Sequence, residues 1–131
     1  MFQLRLITPS GELLSTQTEE IRAPGAFGGF GVRAGHTPFI TTLDAGPLAY
    51  KTADGWDAYA VIDGFVEVDG DEVIVLAEEA EHARDISVEA ELEAIKAAEA
   101  RMVGRSPESD EYRMEAATIR RATARAFTAK R

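Results

Sequence analysis

The sequence contains no cysteine among its 131 residues, which excludes disulfides, thiol catalysis and cysteine-ligated zinc. No apolar run approaches the ~20 residues that a membrane-spanning helix requires, and no basic start followed by a long apolar segment suggests a signal or transit peptide. The two histidines, His36 and His82, have no His or Cys neighbour at metal-ligand spacing. We therefore expect a protein without a membrane span, a metal or a cofactor.

Basic residues are also scarce, and they are unevenly distributed. The net charge is −9, which makes nucleic acid an improbable partner. Residues 1–85 carry 15 acidic and 5 basic side chains, whereas residues 112–131 carry six basic side chains against one acidic side chain. We call residues 112–131 the basic segment, and its cations are Arg113, Arg120, Arg121, Arg125, Lys130 and Arg131. Two partners for it stay open, the acidic body of the chain itself or an acidic surface of another protein.

Signatures of catalysis are missing as well. No Gly-x-Ser-x-Gly sequence is present, and acidic pairs such as Glu78-Glu79 are typical of solvated surface. The glycine-rich stretch Gly25–Gly31 lacks the Gly-Lys-Ser/Thr ending of a phosphate-binding loop. It predicts instead a tight loop that exposes Phe27 and Phe30, although both rings could equally pack inside. A non-catalytic binding or structural role is favoured over an enzyme.

The first part of the chain has the pattern of a β protein. Phe2, Leu4 and Leu6 alternate with polar residues, which is typical of a half-buried strand. Turn signals recur every 8–12 residues and predict a β-sandwich over residues 1–85. The predicted strands after the first are Leu13–Glu20, Ile21–Ala23, His36–Leu43, Leu48–Lys51, Trp56–Ile62, Phe65–Val68 and Glu72–Leu76, and Asp63-Gly64 is read as a turn.

The second part, residues 86–131, has a helical period. Asp85 or Ser87 is positioned to cap a first helix, and Gly104 to end it. A second helix follows from Ser106-Pro107 or Ser109, so that an antiparallel helical hairpin is expected. The apolar stripe of the first helix is Val88, Leu92, Ile95, Ala98 and Met102, and the predicted face of the second is Tyr112, Ala116, Ile119, Ala122 and Ala126.

Alanine dominates both helices, with eleven alanines after residue 85. Alanine favours helix but buries little apolar area. The second helix has few large side chains to anchor it, namely Tyr112, Met114, Ile119 and Phe127. Composition alone is compatible with a mobile helix or with a close-packed, fixed helix pair.

Four stretches together resemble a known family. They are Ala23–Ile40, with Gly-Val-x-x-Gly-His-x-Pro inside it, Gly46-Pro47-Leu48, Ile62–Val68, with Gly-Phe-x-Glu-Val, and Val73–Glu78. In order and spacing, and with the helical hairpin behind them, they resemble the epsilon subunits of F-type ATP synthases over nearly the whole chain. No single one of these motifs would be specific alone.

The resemblance implies a non-catalytic subunit of the central stalk, or rotor. Its implied partners are the gamma subunit, the c-ring and, when the hairpin extends, the alpha and beta catalytic subunits, where it would inhibit ATP hydrolysis. The implied location is peripheral, at the cytoplasmic side of a bacterial plasma membrane; the absence of a transit peptide favours a bacterium over an organelle.

The resemblance also implies roles for individual residues. Phe30, Arg33 and His36 match the loop at the c-ring interface. The implied inhibitory contacts with the catalytic subunits come from Arg120, Arg121 and Arg125.

A nucleotide site of some family members is matched only in part. Glu81, Arg121 and Arg125 match it, but Ser87 and Ala90 replace its Asp and first-helix Arg, so weak or absent ATP binding is expected. The alternative function is an autonomous nucleotide- or anion-sensing module that uses Arg121 and Arg125, and an enzyme that uses His36 ranks third.

Overall fold

The computed structural model describes residues 1–130, so Arg131 of the basic segment lies outside the described residues. Eight strands are followed by a short 3-10 helix, Ala83–Asp85, and by two α-helices. The elements are β1 (Phe2–Thr8), β2 (Gly11–Thr18), β3 (Glu20–Gly25), β4 (Gly28–Arg33), β5 (Phe39–Leu43), β6 (Gly46–Thr52), β7 (Gly55–Asp69), β8 (Glu72–His82), α1 (Val88–Met102) and α2 (Asp110–Lys130).

The strands form the predicted β-sandwich. They follow one another in the order β2-β1-β8-β7-β5-β3-β4, and β6 pairs with both β3 and β7. The pairing of β1 with β8 is parallel and the other pairings are antiparallel. The alternation predicted for the first strand is confirmed, since Phe2, Leu4 and Leu6 are buried in a core shared by most strands.

The expectation that Asp63-Gly64 is a turn between two strands is wrong. Strand β7 runs through this dipeptide because β8 pairs with it on both sides of it, from Tyr59 to Asp69. Asp63 and Gly64 have φ angles of 54° and 130°. Before the bend the core-facing residue Val61 has an odd number, whereas after it the core-facing residue Val66 has an even number. The alternation of buried side chains is therefore shifted by one residue at the bend. The left-handed backbone therefore bends a continuous strand instead of reversing it.

The glycine-rich stretch, predicted as a tight loop over Gly25–Gly31, is mostly strand, and only its centre is a turn. It forms the tip of the β3–β4 hairpin, in which Gly25 pairs with Gly28 and only Ala26 and Phe27 remain in the turn. Glycine side chains contribute no packing signal, so a strand with alternating glycines has no detectable period. The ring of Phe27 is 97% exposed, whereas Phe30 is half-buried and packs against the core.

The helical hairpin begins and ends close to the predicted residues. The Ser87 hydroxyl accepts a hydrogen bond from the Ala90 N–H at 3.2 Å and caps α1. Gly104 adopts a φ of 78° after the end of α1, as a C-terminal capping glycine requires. The Ser109 hydroxyl accepts from the Tyr112 N–H at 3.2 Å, so Ser109 and not Ser106 precedes α2.

Four expected packing residues of the helices are exposed, and Ala116 of the predicted α2 face is one of them. Leu92 is 43% exposed because the face of α1 that meets α2 passes through Glu91, one position earlier. Met114 and Phe127 are 69% and 62% exposed, so they do not anchor α2. Instead the buried residues of α2 are small, namely Ala122, Ala124, Ala126 and Thr128.

Helix α2 lies between α1 and the sandwich, because it contacts α1 on one side and strands β6 and β7 on the other. Ala49, Ala58 and Ala60 are buried although they are outside the core cluster. They belong to the outer face of β6 and β7, which α2 covers. No helix within residues 1–130 is long and apolar enough to cross a membrane.

Candidate functional site

The basic face of α2 contacts the sandwich of the same chain. Arg120 donates two hydrogen bonds to the Asp63 carboxylate, at 2.7 Å and 3.3 Å, and a further one to Asp44. Hydrogen bonds to Asp63 and Asp44 raise the pKa of Arg120, and the bond from Arg120 lowers the pKa of Asp44. The guanidinium thus bridges two carboxylates and stays charged.

Strand pairing brings these two carboxylates together. Leu43 pairs with Gly64 and Gly46 pairs with Val61, so the turn at Asp44 lies opposite Asp63. A Cβ at Gly64 would collide with the carbonyl oxygen of Leu76, which keeps this position for glycine and fixes the bend beside Asp63. Two like charges placed opposite each other repel, and Arg120 neutralises that repulsion.

The other two predicted arginines bind acidic residues on both sides of α2. Arg121 and Arg125 approach Glu79 of β8 at 4.0 Å and 3.8 Å. Arg125 also donates from Nε to Oε1 of Glu91 in α1 at 2.7 Å. The side chains of Arg125 and Glu91 are only 22% and 14% exposed, so water screens this pair less than the Arg120 pairs.

Of the two partners left open for the basic segment, the structure shows the acidic body of the chain itself. All three arginines that were expected to contact catalytic subunits bind carboxylates of residues 1–91. Sequence reasoning missed the four acceptors, Asp44, Asp63, Glu79 and Glu91. The sequence predicts a turn at Asp63-Gly64, and Asp44, Glu79 and Glu91 do not belong to any recognisable sequence motif.

The partial nucleotide site is closed in this arrangement. Glu81, Arg125 and their neighbours Ala60, Ile62, Glu79 and Ala80 line a cavity of about 60 Å³, whereas ligand pockets usually measure ~300–1,000 Å³. Both arginines of the site are already bound to carboxylates of the chain. Ser87, which stands where the family motif has Asp, caps α1. Weak or absent nucleotide binding stays a prediction.

A polar cluster occupies the junction between the sandwich and the helical hairpin. The Asp57 carboxylate accepts a hydrogen bond from the Tyr50 hydroxyl at 3.0 Å and contacts Nε2 of His82 at 2.8 Å. Since Nδ1 of His82 accepts from the Arg84 N–H, neutral His82 carries its proton on Nε2 and donates to Asp57. Burial acts to raise the pKa of Asp57, but hydrogen bonds from His82 and its other neighbours lower it overall. The cluster holds the chain as it leaves β8.

The three predicted c-ring contacts lie at one end of the sandwich. Phe30 is on β4, Arg33 ends β4, and His36 precedes β5. The ring of Phe39 is 5.5 Å from that of Phe30 and 5.0 Å from that of His36, so the three rings form one cluster. Arg33 and His36 are exposed, as expected.

The apolar surface at this end differs from the expected one. Phe30 contributes less of it than predicted, because half of its ring faces the core. The exposed apolar atoms come from Phe27 and from Ile40, which is 67% exposed. Ile40 was included in the motif but not recognised as a contact residue.

A second apolar surface was not foreseen. Phe65 of β7 and Leu76 of β8 pair with each other and are 53% and 47% exposed. Ile7 of β1 pairs with Leu76 on its other side. We call these three residues the apolar face of the sandwich. Contiguous exposed apolar side chains of this kind typically mark a protein interface.

Comparison with known proteins identifies the family. The sequence model described as "ATP synthase, Delta/Epsilon chain, beta-sandwich domain" matches residues 1–83. The ATP synthase epsilon chain of Anaeromyxobacter sp. (strain K) is 41% identical over 128 residues, covering 98% of this chain and 97% of its own length. That of Myxococcus xanthus is 41% identical, covering 93% and 90%, and that of Geobacter metallireducens is 42% identical, covering 92% and 87%.

Two solved structures share the fold. One is a chain of the Euglena gracilis mitochondrial ATP synthase "OSCP/F1/c-ring", with a TM-score of 0.83 and 23% identity over 94% of this chain and 78% of that chain. The other belongs to the "central stalk/cring" of the Tetrahymena thermophila mitochondrial enzyme, with a TM-score of 0.61 and 16% identity over 97% and 93%. These two structures show the shared fold, and the bacterial relatives and the β-sandwich match establish that this chain belongs to the ATP synthase epsilon family and is a non-catalytic subunit of an F-type ATP synthase.

Proposed function

We propose that this subunit links the gamma subunit to the c-ring as part of the rotor, and that its helical hairpin slows ATP hydrolysis when it leaves the sandwich. The observation that supports the proposal is that the docked hairpin leaves two exposed apolar surfaces of the sandwich uncovered. One surface contains Phe27 and Ile40, and the other is the apolar face around Phe65 and Leu76. A linking subunit needs two such surfaces, each free while the hairpin is docked.

We assign the c-ring contact to the end that carries Phe27, Arg33, His36 and Ile40. A hairpin tip and a short loop present these side chains, and the rigid strands β4 and β5 hold them in place. The exposed ring of Phe27 supplies apolar area and Arg33 supplies a cation. This mixture suits the polar loops by which a membrane-embedded ring would meet a peripheral subunit.

We assign the gamma contact to the apolar face, Ile7, Phe65 and Leu76. Three neighbouring strands present these side chains in register, so the surface is rigid and does not depend on a loop. Burying an apolar side chain contributes about 1.5–3 kcal/mol when it becomes fully covered. Phe65 and Leu76 are therefore the residues whose removal should weaken this contact most.

We assign the contacts that slow ATP hydrolysis, here called the brake, to Arg120, Arg121 and Arg125. In the docked hairpin these arginines satisfy acidic groups of their own chain. When α2 extends, the same cations become free to bind acidic segments of the alpha and beta subunits. Charge-assisted hydrogen bonds are worth ~1.5–3 kcal/mol each, so two or three of them hold the extended helix against the catalytic subunits.

The proposed location is peripheral, on the cytoplasmic side of a bacterial plasma membrane, where the c-ring would hold the subunit. This location follows from the proposed partners and from the bacterial relatives.

Binding to isolated gamma tests the linking role. Phe65→Glu should weaken gamma binding by at least tenfold, because it places a charge in the centre of the proposed contact. Leu92→Glu is the matched control, since Leu92 is similarly exposed but lies on α1. Titration calorimetry measures both variants, with near-ultraviolet circular dichroism to show that the sandwich is intact. Unchanged affinity of Phe65→Glu for gamma would remove the apolar face from the interface.

A further inference from the structure

Helix α2 has little apolar attachment to the sandwich. Its fully buried residues are small. Of its four large side chains, Met114 and Phe127 are mostly exposed, and Tyr112 and Ile119 are only half-buried. Its polar attachment consists of hydrogen bonds between charged groups, which are stronger than those between neutral groups. Arg120 makes three hydrogen bonds to two carboxylates, one in the turn between β5 and β6 and the other at the bend within β7.

The two carboxylates need a cation between them. Asp44 lies in the turn between β5 and β6, and Asp63 lies opposite it at the bend of β7. Asp63 is the one non-glycine residue with positive φ in residues 1–130, a backbone conformation that is uncommon outside glycine. The fold therefore maintains an uncommon backbone conformation and a repelling acid pair at the position that Arg120 occupies.

Arg125 has a different attachment. Its short hydrogen bond runs to Glu91 of α1, at 2.7 Å, whereas its contact with Glu79 of the sandwich is longer, at 3.8 Å. Arg125 therefore joins the two helices to each other more than it joins either helix to the sandwich.

We infer that the hairpin is held by two separable ionic devices. The latch, Arg120 with Asp44 and Asp63, holds α2 on the sandwich. The clasp consists of two ion pairs between the helices, Arg125 with Glu91 and Arg101 with Glu115, and holds α1 on α2. Both use carboxylates of the chain itself, so the docked state needs no bound nucleotide and responds to ionic strength. The latch is a property of the isolated chain, and its consequence for ATP hydrolysis rests on the proposed function.

Electron–electron distance measurements on the isolated full chain test the latch. Because the chain has no cysteine, spin labels can be attached at single introduced cysteines. Ala53→Cys in the β6–β7 turn with Ala116→Cys in α2 reports docking, and Ala97→Cys in α1 with Ala116→Cys reports the clasp. All three alanines are exposed, so labelling leaves the buried surfaces intact.

Asp44→Asn with Asp63→Asn should increase the undocked population by about five- to tenfold, as expected for a small network of exposed ion pairs. Asparagine tolerates the left-handed backbone at position 63, so the bend is kept. The wild-type chain should undock progressively between 0.05 M and 0.5 M NaCl. The double variant should show a weaker salt dependence, because only the longer contacts of Arg121 and Arg125 with Glu79 remain between α2 and the sandwich. Asp54→Asn, which removes an equal charge at an exposed turn, should change nothing.

Glu91→Gln together with Glu115→Gln tests the separation of the two devices, because it removes both acidic partners of the clasp. The double variant should broaden the distances between positions 97 and 116 and leave those between 53 and 116 unchanged. An undocked population that stays the same in Asp44→Asn with Asp63→Asn overturns the latch. Equal undocking by Glu91→Gln with Glu115→Gln overturns the separation of latch and clasp.

ATP hydrolysis by the assembled enzyme distinguishes the latch from the proposed brake. Asp44→Asn with Asp63→Asn frees the arginines without changing them, so hydrolysis should fall two- to fivefold, in proportion to the ~1 kcal/mol network that is lost. Undocking of the isolated chain without this fall would support the latch and contradict the brake. Docking that is unchanged, whatever the hydrolysis rate, would contradict the latch.

Discussion

Arg125 of α2 donates to Glu91 of α1 across the interface of the two helices, at 2.7 Å, with both side chains largely shielded from water. Five residues away on the same helix, Arg120 bonds to the sandwich instead. One helix thus carries cations that bind to opposite sides. Substitutions at single positions can therefore distinguish the contact between the two helices from the contact of α2 with the sandwich.

The first prediction concerns the proposed brake. Replacing Arg120, Arg121 and Arg125 by alanine should raise ATP hydrolysis by the assembled enzyme several-fold and leave ATP synthesis nearly unchanged. Losing two or three charge-assisted contacts weakens the extended state by ~1.5–3 kcal/mol per contact, which outweighs the easier release from the docked state. Steady-state hydrolysis and synthesis in membrane vesicles measure the two effects.

The variant Asp44→Asn with Asp63→Asn should change the rate of ATP hydrolysis in the opposite direction, because it frees α2 but keeps the arginines. Hydrolysis by the triple alanine variant at the wild-type rate would show that these arginines do not form the brake.

The second prediction concerns the independence of the sandwich. A truncated chain that ends at Arg84 should unfold in one cooperative thermal transition, because the core cluster is formed by the strands alone. Removing the hairpin uncovers mainly alanine on β6 and β7, such as Ala49 and Ala58, so little apolar burial is lost. Differential scanning calorimetry against the full chain measures the change, and a truncated chain without a cooperative transition would contradict it.

The third prediction concerns the proposed c-ring end. Phe27→Ala with Arg33→Gln should weaken the coupling of ion flow to ATP synthesis and lower the unfolding temperature only slightly. Both side chains are exposed, and the ion pair that Arg33 loses, with Glu20 at 3.5 Å, is a surface contact. Phe30→Ala should instead destabilise the sandwich by about 1–3 kcal/mol, since its ring packs against Phe39 and the core. Coupling in vesicles and thermal unfolding measure the two effects.

If the exposed pair leaves coupling unchanged while Phe30→Ala lowers it at equal stability, the contact surface has been assigned to the wrong side of β4.

The fourth prediction concerns acid. Hydrogen bonding to Arg120 holds the pKa of Asp44 below its ordinary value of 3.8. A proton therefore binds Asp44 more tightly when the latch is open. The latch contribution is complete above pH ~5, falls as the pH drops through 3.8 and vanishes below the lowered pKa.

Spin-label distances between positions 53 and 116, recorded from pH 6 to pH 3, should show undocking in that window in the wild-type chain. The Asp44→Asn variant provides the control, because it has lost this titrating group and its undocked population should depend less on pH. Identical pH profiles for both chains would show that Asp44 does not take part.

Much of the fold was available from local sequence signals. The alternation of Phe2, Leu4 and Leu6 gave the first strand, and Ser87, Ser109 and Gly104 gave the limits of the helices, because capping and alternation depend on neighbouring residues only. The β-sandwich with a helical hairpin behind it was predicted correctly. The positions of Asp63-Gly64 and of Gly28–Arg33 were predicted wrongly, because strand pairing with distant segments overrides local turn preference there.

The sequence by itself determined the strands of the body, the two helices, the family and the basic character of α2. Only the tertiary structure decided where those positive charges bind. Asp44 and Asp63 are 19 residues apart in the chain and become neighbours only through the pairing of β5 and β6 with β7. Because the energy of an ion pair depends on the distance and the exposure of its two charges, no local pattern around Arg120 could have identified its partners.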